Sequence, residues 1–352
     1  MSENCVLSIE KDLPSYRIKR GWLIGEHTKL LDRYSPILEE HYLPEFASPE
    51  GRLMIKYDAG TLTVSDSKKA RKVQGIARAL LRRKVVQSEL CAELCTLDFR
   101  VNSPANWAHA FTNHLPLALL ISNLLNISPS GICILLPGTI SGRIVELFKL
   151  IGFSVVTEDG RVLGKFCQFD VNPWIALRGL RCEVLRQSGV KAQLMAAVAP
   201  IPEPSRKIFV SRKDHRKLIN EQEVETYLEG FGYEKVYPEE LGLVEQISLL
   251  TGAEKIVAVH GAGLGPMILK SILGDRSYDL LEIFSPAHIT NVYRMIAEQT
   301  RGSWIGVRGQ VWPDLIGEKA NFQNNLMDFS LSIASLQRAM EIQSSDSSSD
   351  QC

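Results

Sequence analysis

Between residues 207 and 308 the chain changes its hydrophobic period at regular intervals. "KIFVS" at 207–211 is a short apolar run of β-formers. "NEQEVETYLEGFG" then spaces its apolar residues as a helix does, with Asn220 at the N-cap, Glu223 three residues on as in a capping box, and Gly230 or Gly232 to end it. The alternation continues through "YEKVY" (strand), "LVEQISLLTG" (helix), "KIVAV" (strand), "LGPMILKSIL" (helix), "YDLLEIF" (strand), "ITNVYRMIAEQT" (helix) and "SWIGV" (strand). Strands alternating with helical stretches of this length predict βα crossover units and a parallel sheet covered on both faces. The expected fold class is therefore α/β, with a Rossmann-like domain over 207–320.

The first half shows the same order once, as "GICILLPG", "GRIVELFKLIGF" and "SVVTE" at 131–158, which predicts a second α/β domain over 1–195. "LPLALLISNLLNI" at 115–127 is the most apolar segment, but Ser122, Asn123 and Asn126 interrupt it and it is too short to span a bilayer, so it reads as a buried helix. Prolines at 200, 202 and 204 favour an extended linker at 196–206. Residues 321–342 carry a helical period and are expected to form a C-terminal helix able to pack across the two domains. The Ser/Asp-rich tail 343–352 has almost nothing to bury and is expected to be disordered. Two α/β domains joined by such a linker leave a central cleft, and ligands in these folds sit at the strand carboxyl ends that face it.

Charge narrows the function classes. The 352 residues carry 40 basic and 40 acidic side chains, so no global field draws the protein to nucleic acid, and any anionic ligand must be held locally. Seven cysteines, an odd number without paired metal-type spacings, fit a thiol-reduced compartment; Cys91 and Cys95 lie four apart with no second pair to complete a site. No secretory signal is visible in "MSENCVLSIEKDLP", so a cytoplasmic location is expected.

Three segments carry candidate chemistry. In "EKIVAVHGAGLGPMILK" (254–270), His260 ends a strand, and Gly261, Gly263 and Gly265 let backbone amides approach a ligand ahead of a helix N-terminus, a suitable place for phosphate. The same glycines also suit a plain tight βα turn. "GAGLGP" nearly matches the G-x-G-x-x-G dinucleotide fingerprint, with Glu282 near the ribose-binding position, but its third glycine comes one position early and it does not follow a first strand. In "RKIFVSRKDHRKLIN", five cationic or potentially cationic groups, Arg212, Lys213, His215, Arg216 and Lys217, fall within six positions after a strand of the same sheet. They are either solvated loop charge or partners for phosphate oxygens. In "NSPANWAHAFTNHLPLALL", Asn106, Trp107, His109, Asn113 and His114 crowd the entry to an apolar helix. A histidine there can serve as a general base, or the segment is a helix cap with a histidine packed at its edge.

Together these segments resemble glycosyltransferase family 61, whose members include capsular-polysaccharide-type bacterial transferases. The resemblance is carried by Asn106, Trp107, His109 and Pro116; by Ser211, Arg212, Arg216 and Asn220; and by Glu245, Gln246, the run His260, Gly261, Ala262, Gly263, Leu264, and Glu282. It implies a GT-B architecture, with 1–195 on the acceptor side and 207–320 holding the nucleotide-sugar. It also implies inverting transfer from a UDP-sugar to a glycan or lipid-linked acceptor in surface polysaccharide synthesis, and no metal or other cofactor; peripheral contact with the inner face of the membrane, through an apolar or basic face, is a separate expectation. In that scheme Arg212, Arg216 and the amides after His260 neutralise the departing diphosphate, Glu282 accepts from ribose hydroxyls, and Asn106, Trp107 and Asn113 line the acceptor side. The sequence departs from the family twice. Asn113 stands where many relatives carry an aspartate, which leaves His109, with His114 as runner-up, to take the acceptor proton, unless a carboxylate elsewhere does so or catalysis has been lost. Gly265 and Pro266 replace a threonine-asparagine pair. A dehydrogenase using the "GAGLG" turn with NAD or NADP, and a catalytically inactive module that binds a sugar-nucleotide or glycan, are the competing readings.

Overall fold

A computed structural model of the chain describes residues 6–30, 34–47, 50–65, 85–101, 103–170, 177–198, 206–274, 276–310 and 326–349. The chain divides into two units, one of residues 1–16 and 48–198, the other of residues 17–47 and 199–352. Residues 17–47, expected within the N-terminal domain 1–195, thus belong with the second unit. Of the expected linker, residues 196–197 close the helix Lys191–Ala197, and 199–205 lie outside the described residues.

In the second unit β1 (Gly21–Leu30), β2 (Tyr34–Leu43), β3 (Lys207–Val210), β4 (Glu234–Val236), β5 (Lys255–Val259), β6 (Tyr278–Phe284) and β7 (Gly302–Arg308) form one sheet in the order β4-β3-β5-β6-β7-β1-β2. All neighbours are parallel except β1 and β2, which pair antiparallel at the edge. The helices are α1 (Glu221–Glu229), α2 (Leu243–Gly252), α3 (Val292–Gln299) and α4 (Ile333–Ser349). Phe209, Val257, Val259, Leu281, Ile283, Ile305 and Val307 form the core on one face, closed by Val224 and Leu228 of α1 and by Leu336, Ala339 and Ile342 of α4. On the other side α3 packs on β7. Double-sided burial is why these strands read as continuous apolar runs.

Three local expectations are corrected. The stretch after His260 is a 3-10 helix over Ala262–Leu269 with one α-turn, Lys270–Leu273, behind it. Pro266 within it lacks an N–H and disfavours the α conformation of Gly265 before it, so a regular α-helix does not start there. Asn220 makes no side-chain capping bond to α1: its Nδ2 donates to Leu331 O and to Glu223 Oε2, both at 2.8 Å, and its Oδ1 accepts from Leu331 N at 2.9 Å, tying in the approach to α4. The tail expected to be disordered from 343 is helical as far as Ser349, and α4 begins at Ile333 and packs on β1, β6 and β7 of its own unit.

The first unit combines two sheets. Ser154–Thr157, Ile132–Leu136, Cys95–Asp98 and Arg161–Phe166 run parallel, flanked by Thr63–Ser65 and Val85–Gln87 on Arg161–Phe166. Val6–Leu13, Gly51–Asp58 and Gln168–Asp170 make a separate antiparallel sheet. The strand, helix, strand order predicted at 131–158 is present, and the apolar segment forms the buried helix Leu115–Leu125. Among the described residues no helix is long and apolar enough to cross a membrane.

Candidate functional site

Counted from β3, the parallel strands of the second unit lie in the order 2-1-3-4-5. The chain builds β4 on one side of β3 and then β5 on the other, so the topological switch point of this doubly wound sheet lies at the carboxyl ends of β3 and β5. Arg212 follows β3 and His260 follows β5, and the sheet brings them together: Arg212 Nη1 donates to His260 O at 2.8 Å. Gly261 is extended, so its φ does not require glycine, but a Cβ there would run into the Arg212 guanidinium. The turn is backed by Gln246, whose Nε2 donates to Pro238 O at 2.5 Å and Leu241 O at 3.1 Å, while Pro238 leaves a Cβ on Gly263 only 2.9 Å from its ring. Glu245 Oε2 caps α2 by accepting from Gly242 N at 2.8 Å, and Ser211 donates to Glu221 at the start of α1. The serine and the Glu245–Gln246 pair thus build the framework behind the site.

The groups gathered here are mostly cationic. Burial lowers the pKa of Arg212, with Glu239, Tyr293 and Asp214 offsetting part of the penalty. Burial and then the neighbouring Arg212 lower that of Arg216 to about 10. Arg216 sits at φ +64°, a left-handed conformation that bulky residues avoid, held by its N–H to Leu326 O at 3.2 Å, and its buried Nε has no hydrogen-bond partner among the described residues. His288, on the loop after β6, is lowered to about 4 by burial, His260, Arg216 and Arg212, so it is neutral at pH 7. Two half-buried guanidinium groups this close repel one another, and an anion between them relieves both the repulsion and the desolvation.

His260 is buried. Its Nδ1 lies 2.6 Å from Glu282 Oε1, and Trp304 Nε1 donates to Glu282 Oε2 at 2.8 Å. Glu282 is 0% exposed with both oxygens engaged, so it does not face a ribose as expected from its place after the glycine turn. The dinucleotide reading needs an acid in that role and loses it here. Ala262 and Gly263 are half-buried, whereas Leu264 is core and its amide is already given to Gly261 O at 3.3 Å, leaving a smaller amide cradle than the three glycines suggest. Tyr293 on α3 donates to Gly261 O at 2.8 Å.

The Asn106–His114 group lies in the first unit. Asn106 caps the short helix Trp107–His109, its Oδ1 accepting from His109 N at 3.3 Å, and Trp107 meets Phe111 edge-on. Ala110–His114 form a π-turn, a wide turn common at functional sites, and all five residues are buried. Asn113 Oδ1 accepts from Nη2 of the buried Arg181 at 2.7 Å. His114 is 3% exposed, its Nδ1 bonded to His109 O at 3.0 Å and its ring 5.2 Å from that of Phe99, so it is a packed core histidine and not the runner-up base. Burial, then His114 and Arg181, lower His109 to about 4, well below the value that suits a general base at neutral pH. The sequence reading missed Arg181, His288, Tyr293 and Trp304. Arg181 and His288 sit in runs that resemble solvated loops and helix surfaces, and only the fold turns them inward.

Among the described residues no three His, Cys, Asp or Glu side chains come together so as to hold a metal ion. These features define an α/β protein whose second unit gathers cations at a topological switch point. Residues 107–270, a little under half of the chain, match the family described as Glycosyltransferase 61, which supports membership of that family. The matched stretch takes in Asn113, Arg212, Arg216 and the 260–264 turn and ends before Glu282. No curated protein matches the chain.

Proposed function

We propose that this protein is a glycosyltransferase of GT-B type that moves a sugar, with inversion, from a nucleoside-diphosphate donor, a UDP-sugar, to a glycan or lipid-linked acceptor in surface polysaccharide synthesis. The proposed setting is the cytoplasm, at the inner face of the membrane. The observation that carries the donor assignment is the pair Arg212 and Arg216 beside His288, with Arg212 hydrogen-bonded to His260 O, at the switch point of the second unit's sheet. In this reading Arg212, Arg216, His260 and the amides of Ala262 and Gly263 hold the diphosphate, and the leaving charge is neutralised by fixed cations, the task a metal ion performs in other transferases. His109 is the proposed acceptor of the hydroxyl proton.

The test is a thermal-shift screen in metal-free buffer with UDP-, GDP- and CMP-sugars, NAD and NADP. A ligand at a hundredfold excess over its Kd stabilises the folded state by about 2.7 kcal/mol. The expected result is stabilisation by one nucleotide-sugar class, lost in Arg216→Ala; a shift with NAD or NADP alone sinks the reading. The second reading, a module that binds the donor without turning it over, is favoured by Asn113, which cannot act as a base and whose oxygen is committed to Arg181. Donor binding with no transfer or hydrolysis, and turnover gained in Asn113→Asp, would establish it.

A further inference from the structure

The carboxylate of Glu282 sits in the middle of a strand whose neighbours are core residues. Burying an unpaired charge there costs several kcal/mol, and a well-packed apolar residue is commonly as stable or more so. No lysine or arginine bonds to it among the described residues. It is held instead by His260 Nδ1 at 2.6 Å and Trp304 Nε1 at 2.8 Å. An ionised carboxylate only accepts, so the shared proton belongs to Nδ1 and the ring orientation is fixed from that edge. Phe284 stacks on the imidazole at 5.1 Å and 24°, and His288 and Tyr293 lie 5.2 and 5.7 Å away. The opposite edge, Nε2, has no hydrogen-bond partner among the described residues. The charged and titratable groups around this ring are Glu282 on β6, Arg212 and Arg216 after β3, His288 after β6 and Tyr293 on α3.

We propose that Glu282 and Trp304 are positioning residues that fix the tautomer and orientation of His260, so that its Nε2 meets a donor phosphate oxygen while the buried carboxylate balances the imidazolium formed there. The inference rests on the diphosphate reading above. It assigns Glu282 to the side of the histidine remote from the ligand and removes it from the nucleotide's sugar.

The test uses UDP as the probe with the full chain and its Glu282→Gln and Trp304→Phe variants. Nitrogen-15 spectra of labelled histidine read the tautomer directly, and calorimetry in two buffers of different ionisation enthalpy reads the protons taken up on binding. In the native protein His260 is expected to carry its proton on Nδ1 and to take up a proton when UDP binds. In Glu282→Gln the tautomer preference and the uptake are lost, and UDP binds about tenfold more weakly or worse, the effect of losing one hydrogen bond to a charged group. Trp304→Phe, which keeps the ring packing and removes only one donor to Glu282, is expected to give a smaller change of the same kind. Unchanged tautomer, uptake and affinity in both variants overturn the proposal. If UDP does not bind the native protein, the phosphate role falls together with the donor assignment. The spectra distinguish the two failures, because loss of the tautomer in Glu282→Gln shows that the carboxylate orients His260 whatever the ligand is.

Discussion

At the scale of single residues, the buried imidazoles carry the clearest solution signature. His114 and His109 are both lowered to about 4 by burial, against about 6.5 in an unfolded chain. A depressed folded-state value means that the stabilising contribution is complete above about pH 6.5 and is lost as pH falls toward 4, because the unfolded chain then binds protons that the folded one refuses. For the nearly inaccessible His114 the loss is on the order of 2–3 kcal/mol. Urea unfolding between pH 7.5 and 4.5 should show a steep acid limb, and His114→Leu should flatten it whatever its stability at neutral pH; an unchanged slope rules the histidine out as its source. Sequence placed Arg212, Arg216 and His260 at strand ends because each follows an apolar run whose end is plain. It could not show that Glu282 turns to His260, since strand alternation gives a face and not a partner, nor that Arg181 in a helix with Arg178 and Arg186 nearby is the one turned inward.

At the scale of elements, the two glycines of the turn at 260–264 should respond differently to the same added methyl. In Gly261→Ala the new Cβ meets the end of the Arg212 side chain, which can swing away; stability should change little, while UDP binding falls with the displaced guanidinium. In Gly263→Ala the new Cβ presses on the Pro238 ring from 2.9 Å, and Pro238, whose carbonyl accepts from Gln246 Nε2, has no flexible side chain to swing aside, so the strain cannot be relieved by a rotamer. A destabilisation of about 1–3 kcal/mol is expected there, the range for overpacking. Denaturant midpoints and UDP titrations of the two variants separate the cases, and equal losses of stability would refute the distinction. The order of elements in 207–308 was legible because each strand is buried on both faces and each helix has one apolar stripe. The 3-10 geometry after Gly261 was not, because an apolar helical period looks the same in either helix type, and the element starts at Ala262, before the Leu264 at which the pattern starts, which puts the backbone effect of Pro266 inside it.

At the scale of the molecule, the least legible feature is the excursion of residues 17–47 into the second unit. Its mixed polar and apolar residues carry no mark of a sheet two hundred residues downstream, and the partnership is visible only once β1 pairs with β7 through the register Ile305–Trp22 to Arg308–Gly25. The excursion is nonetheless built in. Ile24 is 0% exposed and belongs to the core cluster with Ile305 and Val307. Lys19 N donates to Glu298 on α3 at 2.9 Å, and Arg294 on the same helix donates to Lys19 O and to Pro44 O, the latter at 3.1 Å. Arg338 on α4 reaches Glu40 at 2.5 Å. A fragment of residues 199–352, which contains the whole of the 207–320 stretch that sequence alone marks as the donor-binding domain, lacks all of this. It exposes β7 as an unpaired edge, a template for aggregation, and leaves a hole where Ile24 packed, which by the measure of core truncations costs about 2–5 kcal/mol. That fragment should therefore be largely insoluble or only partly folded, whereas residues 17–47 joined to it through a flexible linker should restore a cooperative unfolding transition. Were the short fragment to unfold as sharply as the joined one at the same midpoint, the strands at 21–43 would be an ornament on the sheet's edge and the natural domain boundary would lie at the prolines after all.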